Sequence, residues 1–294
     1  MQLTGEKTSK FNRNKLTPYL FIAPNMILFT TFMIIPIIFT FCISFTKWSL
    51  IGTAEYIGIS NYIKLLSDKQ FLIAMLNTLY YTIATVPTSL GLGLAGAMLL
   101  NRDIPLRGML RGIFYIPTVV SLVAAGLIWQ WILSTDYGVV NYILGLVGIG
   151  PQQWLTSNAL AMPSVILATL WIRGGYCMVI YLAGMQGISE EYYEAAEIDG
   201  AGDFKKFLYV TWPLLKSTTV FLTVISIIYG FMGFDLFYTM TGGGPGFSST
   251  VMVHYIYKQA FNVGEMGYAS AGGVVLFLII LILTLIQMKG EKQQ

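Results

Sequence analysis

Six long apolar runs constrain this chain more than any other feature. They cover roughly Leu20–Thr46, Phe71–Leu100, Ile113–Leu133, Met162–Gly187, Leu214–Phe237 and Tyr268–Met288. Each is near the ~20 residues that a helix needs to cross a bilayer. Lys216 and Asp235 sit near the ends of the fifth run, and Arg173 is the only charge deep inside any of them. Only 11% of the 294 residues are charged, against roughly 25% in soluble domains. The reading is an all-α membrane protein with six transmembrane helices, forming one domain over residues 1–294.

Lysine and arginine set the orientation. Twelve basic residues fall on one side of a six-span chain: Lys7, Lys10, Arg13, Lys15, Arg102, Arg107, Arg111, Lys205, Lys206, Lys216, Lys289 and Lys292. Four fall on the other: Lys47, Lys64, Lys69 and Lys258. Basic residues mark the cytoplasmic side, so both termini are expected there. The net charge of +3 follows from this topology and does not point to nucleic acid. Cys42 and Cys177 both lie in spans, so no disulfide framework is implied. The first span is too long for a signal-peptide core and is expected to be retained.

Between spans four and five lies the one long cytoplasmic insert, about 188–213. It reads as two helices. Ser189 is placed as an N-cap, with Glu190 and Glu191 in the first turn, where the helix dipole favours negative charge. Gly200 and Gly202 bend or break the helix, Asp203 is placed to cap the next one, and Pro213 marks the start of span five. On the opposite side, Val139–Val147 reads as a short interfacial helix ended by Gly148-Ile149-Gly150-Pro151. Gly242-Gly243-Gly244-Pro245-Gly246 reads as a turn cluster. In span two, Gly91/Ala95 and Gly93/Ala97 are four apart and let another helix come close.

Three features bear on chemistry. Arg173 costs at least ~3 kcal/mol at mid-bilayer unless it faces a cavity or a partner. It is read either as a pathway residue, with Tyr176 and Cys177 on its face, or as a structural ion pair or a side chain that snorkels outward. Polar stripes run through span two (Thr78, Thr82, Thr85, Ser89) and span five (Thr219, Thr223, Ser226, Gly230). They are read as lining an aqueous route, alongside Tyr229, or as interhelical hydrogen bonding. His254 stands without a ligand cluster, so no metal site is expected. No catalytic residue set is found, and a GxxxxGK[ST] phosphate loop is absent.

Longer matches then carry a resemblance. Asn141 with Trp154-Leu155, Leu182 to Ile188, Glu194-Ala195-Ala196-Glu197-Ile198-Asp199-Gly200-Ala201, Phe234 to Pro245, and Tyr255 to Phe261 are similar to sugar ABC-importer permeases of the maltose and glycerol-phosphate class. The family pattern of the insert ends in Ile-x-Leu-Pro; here it is Val210-Thr211-Trp212-Pro213. The resemblance implies the type I importer permease fold. It implies that Glu194, Ala195, Ala196, Asp199 and Gly200 belong to an "EAA loop" that docks on a cytoplasmic ATPase. It implies as partners a second homologous permease, two ATP-binding subunits and an extracytoplasmic solute-binding protein, in a bacterial or archaeal cell membrane. ATP is then used by the partners, and the chain itself holds no cofactor. The substrate expected is a sugar or oligosaccharide, with Arg173, Tyr176, Thr223, Ser226 and Tyr229 as candidate path residues.

Other readings make different demands. A permease for a polyol phosphate or a sugar–amino acid derivative shares every feature above except the Gly-Gly-Gly-Pro element. An ATP-independent transporter predicts inverted repeats and broken helices around a midplane site, and no internal repeat is visible. An intramembrane enzyme needs paired polar catalytic residues within spans, and none stand out.

Overall fold

The computed structural model describes residues 13–292; Lys7 and Lys10, part of the charge pattern, lie outside them. Among the described residues four helices are long and apolar enough to cross a membrane unbroken: α1 (Pro18–Ile43), α3 (Lys69–Leu100), α7 (Ala161–Gln186) and the last helix, α13 (Met266–Lys292). Between α1 and α3 the chain makes a two-residue ribbon, Thr46–Lys47 against Glu55–Tyr56, and a short helix α2 (Ser60–Ser67).

The third expected span is not a single helix. It is α4 (Arg107–Val119) and α5 (Leu122–Ile132), which meet at 101°. Val120 and Ser121 between them are extended. Pro117 lies two residues before the end of α4, and a proline weakens the helix that contains it. Beyond the break, α5 packs on α11 (Asp235–Met240), where a β-carbon on Gly126 would overlap the Thr239 hydroxyl. The fifth, α10 (Lys216–Phe231), is one helix within the expected Leu214–Phe237, and it meets the second helical stretch of the insert, α9 (Asp203–Leu214), at 63° about Leu215. Pro213 lies at the end of α9, just before this bend and three residues before α10 begins. The short helix α6 (Val139–Leu146) forms as expected, and Gly148 follows it at φ +78°.

α3 and α7 make the central pair. A β-carbon on Gly93 would come 2.8 Å from the Cys177 backbone, and Ala97 is fully buried. The Gly91/Ala95 row does not take part, because Gly91 meets nothing within 4 Å. The threonine stripe of α3 is not a water-lined face. Thr78, Thr82, Thr85 and Ser89 are all buried. Thr78, Thr82 and Thr85 donate to the carbonyls of Ala74, Thr78 and Tyr81, four residues back, and Ser89 donates to Val86. Gly230 of α10 packs against Thr82, so this stripe is a helix contact.

At the end opposite the insert, Asp68 joins three elements. It caps α3 by accepting from the Gln70 and Phe71 amides. It also accepts from the hydroxyl of Tyr255 in α12 (Met252–Tyr257) and from that of Tyr268 in α13. Burial pushes the Asp68 carboxyl up, but these four donors outweigh it and hold it below the ordinary aspartate value. Tyr255 is pushed up to about 12, by burial first and then by the bond it donates to Asp68. It remains a donor at any physiological pH.

Asp68→Ala is therefore expected to destabilise the solubilised protein by about 2 kcal/mol, the scale of hydrogen bonds to a charged group. A carboxyl with a depressed folded pKa stabilises the fold above its ordinary pKa, and the stabilisation is lost as pH falls through the depressed value. Melting curves of wild type and variant should then differ at neutral pH and converge in acid. Equal curves at neutral pH would contradict the role.

Candidate functional site

Two places in the fold concentrate groups that packing alone does not require. The first surrounds Arg173, midway along α7. It is 8% exposed, and its Nη2 donates to the Ser226 hydroxyl at 3.1 Å. The guanidinium lies over two rings, 4.4 Å from the centre of Tyr176 and 4.5 Å from that of Tyr229. Ring faces carry negative potential, and a desolvated cation–π contact is worth about 2 kcal/mol. Four ion pairs occur among the described residues, and none includes Arg173.

The structure thus brings together Arg173, Tyr176, Ser226 and Tyr229, which the sequence spreads over more than fifty positions. Thr223 does not join them. Its hydroxyl turns back to the Thr219 carbonyl at 2.7 Å. Tyr229 is shared with a cavity of about 320 Å³, lined also by Tyr81, Leu122, Met232, Phe234 and Asp235. Tyr81 is held by a 2.9 Å bond with Thr169 and an edge contact with Phe237 at 4.9 Å. Neither Tyr81 nor Phe234 was legible as a site residue, because aromatic residues are common in spans and no charge singles these two out.

The second place is the insert. α8 (Glu190–Ile198) follows Ser189, whose backbone is extended as an N-cap's is, but whose side chain makes no capping bond. At the other end Gly200 has φ +75°. The Gly200 amide donates to the Glu197 carbonyl and the Ala201 amide to that of Ala196, both at 2.9 Å. This is a Schellman closure, which needs a left-handed residue where glycine sits. Asp203 does not cap α9; Gly202 occupies that position and Asp203 is the first helical residue. It reaches Arg102 at 3.6 Å instead.

Lys206 bonds Glu197 at 2.8 Å and ties the two helices of the insert together. That bond, and the lysine's charge, hold the Glu197 carboxyl below its ordinary value. Tyr193 pairs with Thr211 at 3.0 Å. The face left outward carries Glu194, Ala195 and Asp199 together with Ile198, 87% exposed, and Phe204, 76% exposed. The two apolar side chains were not singled out from sequence. Among the described residues no group of three metal-ligating side chains occurs.

Known proteins resemble this chain in sequence and in fold. The family model described as "Binding-protein-dependent transport system inner membrane component" matches residues 88–289. The chain is 37% identical to the arabinooligosaccharides transport system permease protein AraP of Bacillus subtilis (strain 168), over 95% of this chain and 90% of that one. It is 32% identical to the trehalose/maltose transport system permease protein MalF of Thermococcus litoralis, over 95% of each. It is 34% identical to the sulfoquinovosyl glycerol transport system permease protein SmoG of Agrobacterium fabrum, over 94% and 90%.

Among solved structures, a chain of a bacterial ABC transporter involved in the import of the acidic polysaccharide alginate superposes with a TM-score of 0.86. It is 24% identical, and 96% of both chains are covered. At that identity the likeness speaks for the fold. An amino acid ABC transporter chain superposes less well, at 0.54, with 16% identity over 83% of this chain and 100% of the other. The family model covers more than half of the chain, and several relatives above 30% identity run nearly its full length. The chain therefore belongs to the family of binding-protein-dependent transport system inner membrane components.

Proposed function

We propose that this chain is one of two homologous permease subunits of an ATP-driven importer for a sugar or oligosaccharide. It crosses the membrane six times, α4 with α5 counting as one span and α10 as another, with both termini and the insert in the cytoplasm of a bacterial or archaeal cell. Two ATP-binding subunits work beneath it, and an extracytoplasmic solute-binding protein delivers the substrate. The observation that carries this reading is a desolvated guanidinium held between two tyrosine faces beside a cavity, in a chain whose relatives are named for sugars. Rings and hydroxyls suit a sugar, which presents apolar C–H faces and hydroxyl edges together. Arg173, Tyr176, Ser226 and Tyr229 are the path residues in this reading.

The test is reconstitution in liposomes with the partner subunits. ATP-dependent uptake of labelled sugars delivered by the binding protein is expected. Uptake driven by an ion gradient alone, or confined to non-carbohydrate solutes, would overturn the reading.

Coupling is assigned to the outward face of the insert, where Ile198 and Phe204 are exposed among Glu194, Ala195, Ala196 and Asp199. Large exposed apolar side chains beside polar ones mark a protein contact. A cysteine at Ala196 is expected to crosslink to one in the ATPase groove of the assembled complex. Free labelling of that cysteine by a bulky maleimide would rule the contact out.

Gly200→Val should lower uptake about tenfold with the protein still in the membrane. The left-handed backbone costs a non-glycine residue about 1–2 kcal/mol, and a β-branched one more. The helix would leave the turn in another direction while the spans stay intact. Unchanged uptake would show that the turn needs no glycine.

A further inference from the structure

The second half of the insert leaves part of its surface uncovered in a regular pattern. Lys205, Leu208, Tyr209 and Trp212 of α9 are exposed, as is Lys216 at the start of α10, and they follow one another at three or four residues. Lys206, Phe207, Val210, Thr211 and Leu215 between them are buried or half-buried. Residues at that spacing share one face of a helix. Tyr209 is 73% exposed and Trp212 44%. Trp212 also stands where the pattern of similar permeases has leucine. Among the described residues no carboxylate shares this face, and none of the four ion pairs includes Lys205 or Lys216.

The covered side of α9 is tied to α8. Lys206 bonds Glu197, and Thr211 pairs with Tyr193. α8 carries the residues assigned to the ATPase contact, so beyond Phe204 the exposed face of α9 looks away from that contact. The bend then sets its depth. α10 is the span, and α9 joins it at Leu215 with 63° between the two axes. The helix over 203–214 is about 18 Å long. At that tilt it descends only about 8 Å along the axis of α10. One headgroup layer of a bilayer is about 5–8 Å thick, so α9 stays within or next to it along its whole length. Tryptophan and tyrosine gather at this layer, and lysine stems reach along it to place the charge in water or on phosphate.

We infer that Lys205, Leu208, Tyr209, Trp212 and Lys216 lay α9 on the cytoplasmic leaflet and bind anionic phospholipid headgroups there. Leu208, Tyr209 and Trp212 enter the boundary between headgroups and acyl chains, and the two ammonium groups take the phosphates. No second protein is needed to cover the apolar side chains, because the bilayer that receives α10 begins one residue beyond α9. Since α9 holds α8 through Glu197 and Tyr193, the lipid fixes the base from which the coupling helix projects, and transport depends on anionic lipid. The choice of leaflet and this last consequence rest on the orientation and docking proposed above; the lipid-binding face itself does not.

The experiment uses the assembled complex in liposomes of phosphatidylcholine, with and without phosphatidylglycerol. Tyr209 is replaced by the photoreactive analogue p-benzoylphenylalanine, the sample is irradiated, and adducts are identified by mass spectrometry. A phospholipid adduct is expected. In mixed liposomes phosphatidylglycerol should exceed its share of the bilayer in that adduct about fivefold, the scale of one lysine at an anionic surface. The double variant Lys205→Gln, Lys216→Gln should keep the adduct and lose the excess. Adducts to the second permease or to the ATPase in place of lipid overturn the face, as does the absence of any lipid adduct. A lipid adduct with no excess of phosphatidylglycerol, or an excess that survives in the double variant, overturns the headgroup site. ATP-dependent uptake by wild type should rise severalfold when phosphatidylglycerol is added, and the double variant should lose that response; equal wild-type uptake in both liposomes overturns the dependence on lipid. Capture is read without transport, so a complex that fails to import sugar would count against the importer reading and leave the lipid result standing.

Discussion

Gly175→Ala is expected to remove most of the assembled protein from the membrane, although it adds a single methyl group. α7 crosses α4 at this residue, and a β-carbon there would overlap the carbonyl oxygen of Phe114. The neighbour is backbone, so no rotamer change can relieve it. Thr118 of α4 also donates to the Ile172 carbonyl at 3.0 Å, which fixes the two helices at this separation. Overpacking a tight contact costs up to about 3 kcal/mol, and occasionally more. The same residue change at Gly174 is the control. A β-carbon there meets only Leu92, at 3.9 Å, and alanine is the better helix former by about 1 kcal/mol. Quantitative immunoblotting of membranes should therefore show a sharp loss for Gly175→Ala and none for Gly174→Ala. Normal amounts of both would mean that α4 and α7 are not so closely packed.

Arg173→Ala is expected to cut substrate-stimulated transport roughly thirtyfold, the equivalent of one charge-assisted hydrogen bond to the substrate of about 2 kcal/mol. The amount of assembled complex should stay close to wild type. The guanidinium bonds Ser226 and faces Tyr176 and Tyr229, and no carboxylate would be stranded by its loss. Arg173→Lys should recover part of the transport, because an ammonium keeps the charge but lacks the planar five-donor fork. A purely structural arginine gives another pattern, in which both variants lose complex in proportion to uptake. Complex yield and uptake measured in the same membranes separate the two. Full uptake by the alanine variant would exclude either role.

Some features were legible because charge is scarce in this chain. A lone arginine in an apolar run and an acidic insert between two such runs stand out at once. The Schellman turn at Gly200 was also within reach, since helix closure is local and glycine marks it. The break in span three was not. No charge or glycine marks Val120 and Ser121, and helices bathed in lipid need no polar face whose period would show a change of direction. The chain turns there because α5 must bring Gly126 onto Thr239. The threonine stripe of α3 stayed open between two readings for a related reason. A hydroxyl that bonds its own helix four residues back has the same spacing as one that lines water, and only the neighbouring Gly230 shows which it is.

The sequence by itself determined that the chain belongs in a bilayer, which segments are apolar enough to enter it, and where the polar insert falls. Those properties follow from each segment's interaction with its solvent, which is a sum over neighbouring residues. Only the tertiary structure decided that Arg173 of α7 meets Ser226 and Tyr229 of α10, that Tyr229 shares a cavity with Tyr81 and Phe234, and that Asp68 ties α3 to α12 and α13. Those meetings depend on how closely and at what angle the helices cross. Glycines such as Gly93 and Gly175 set that closeness by what they lack, and a missing side chain shows its use only when the partner helix is in place.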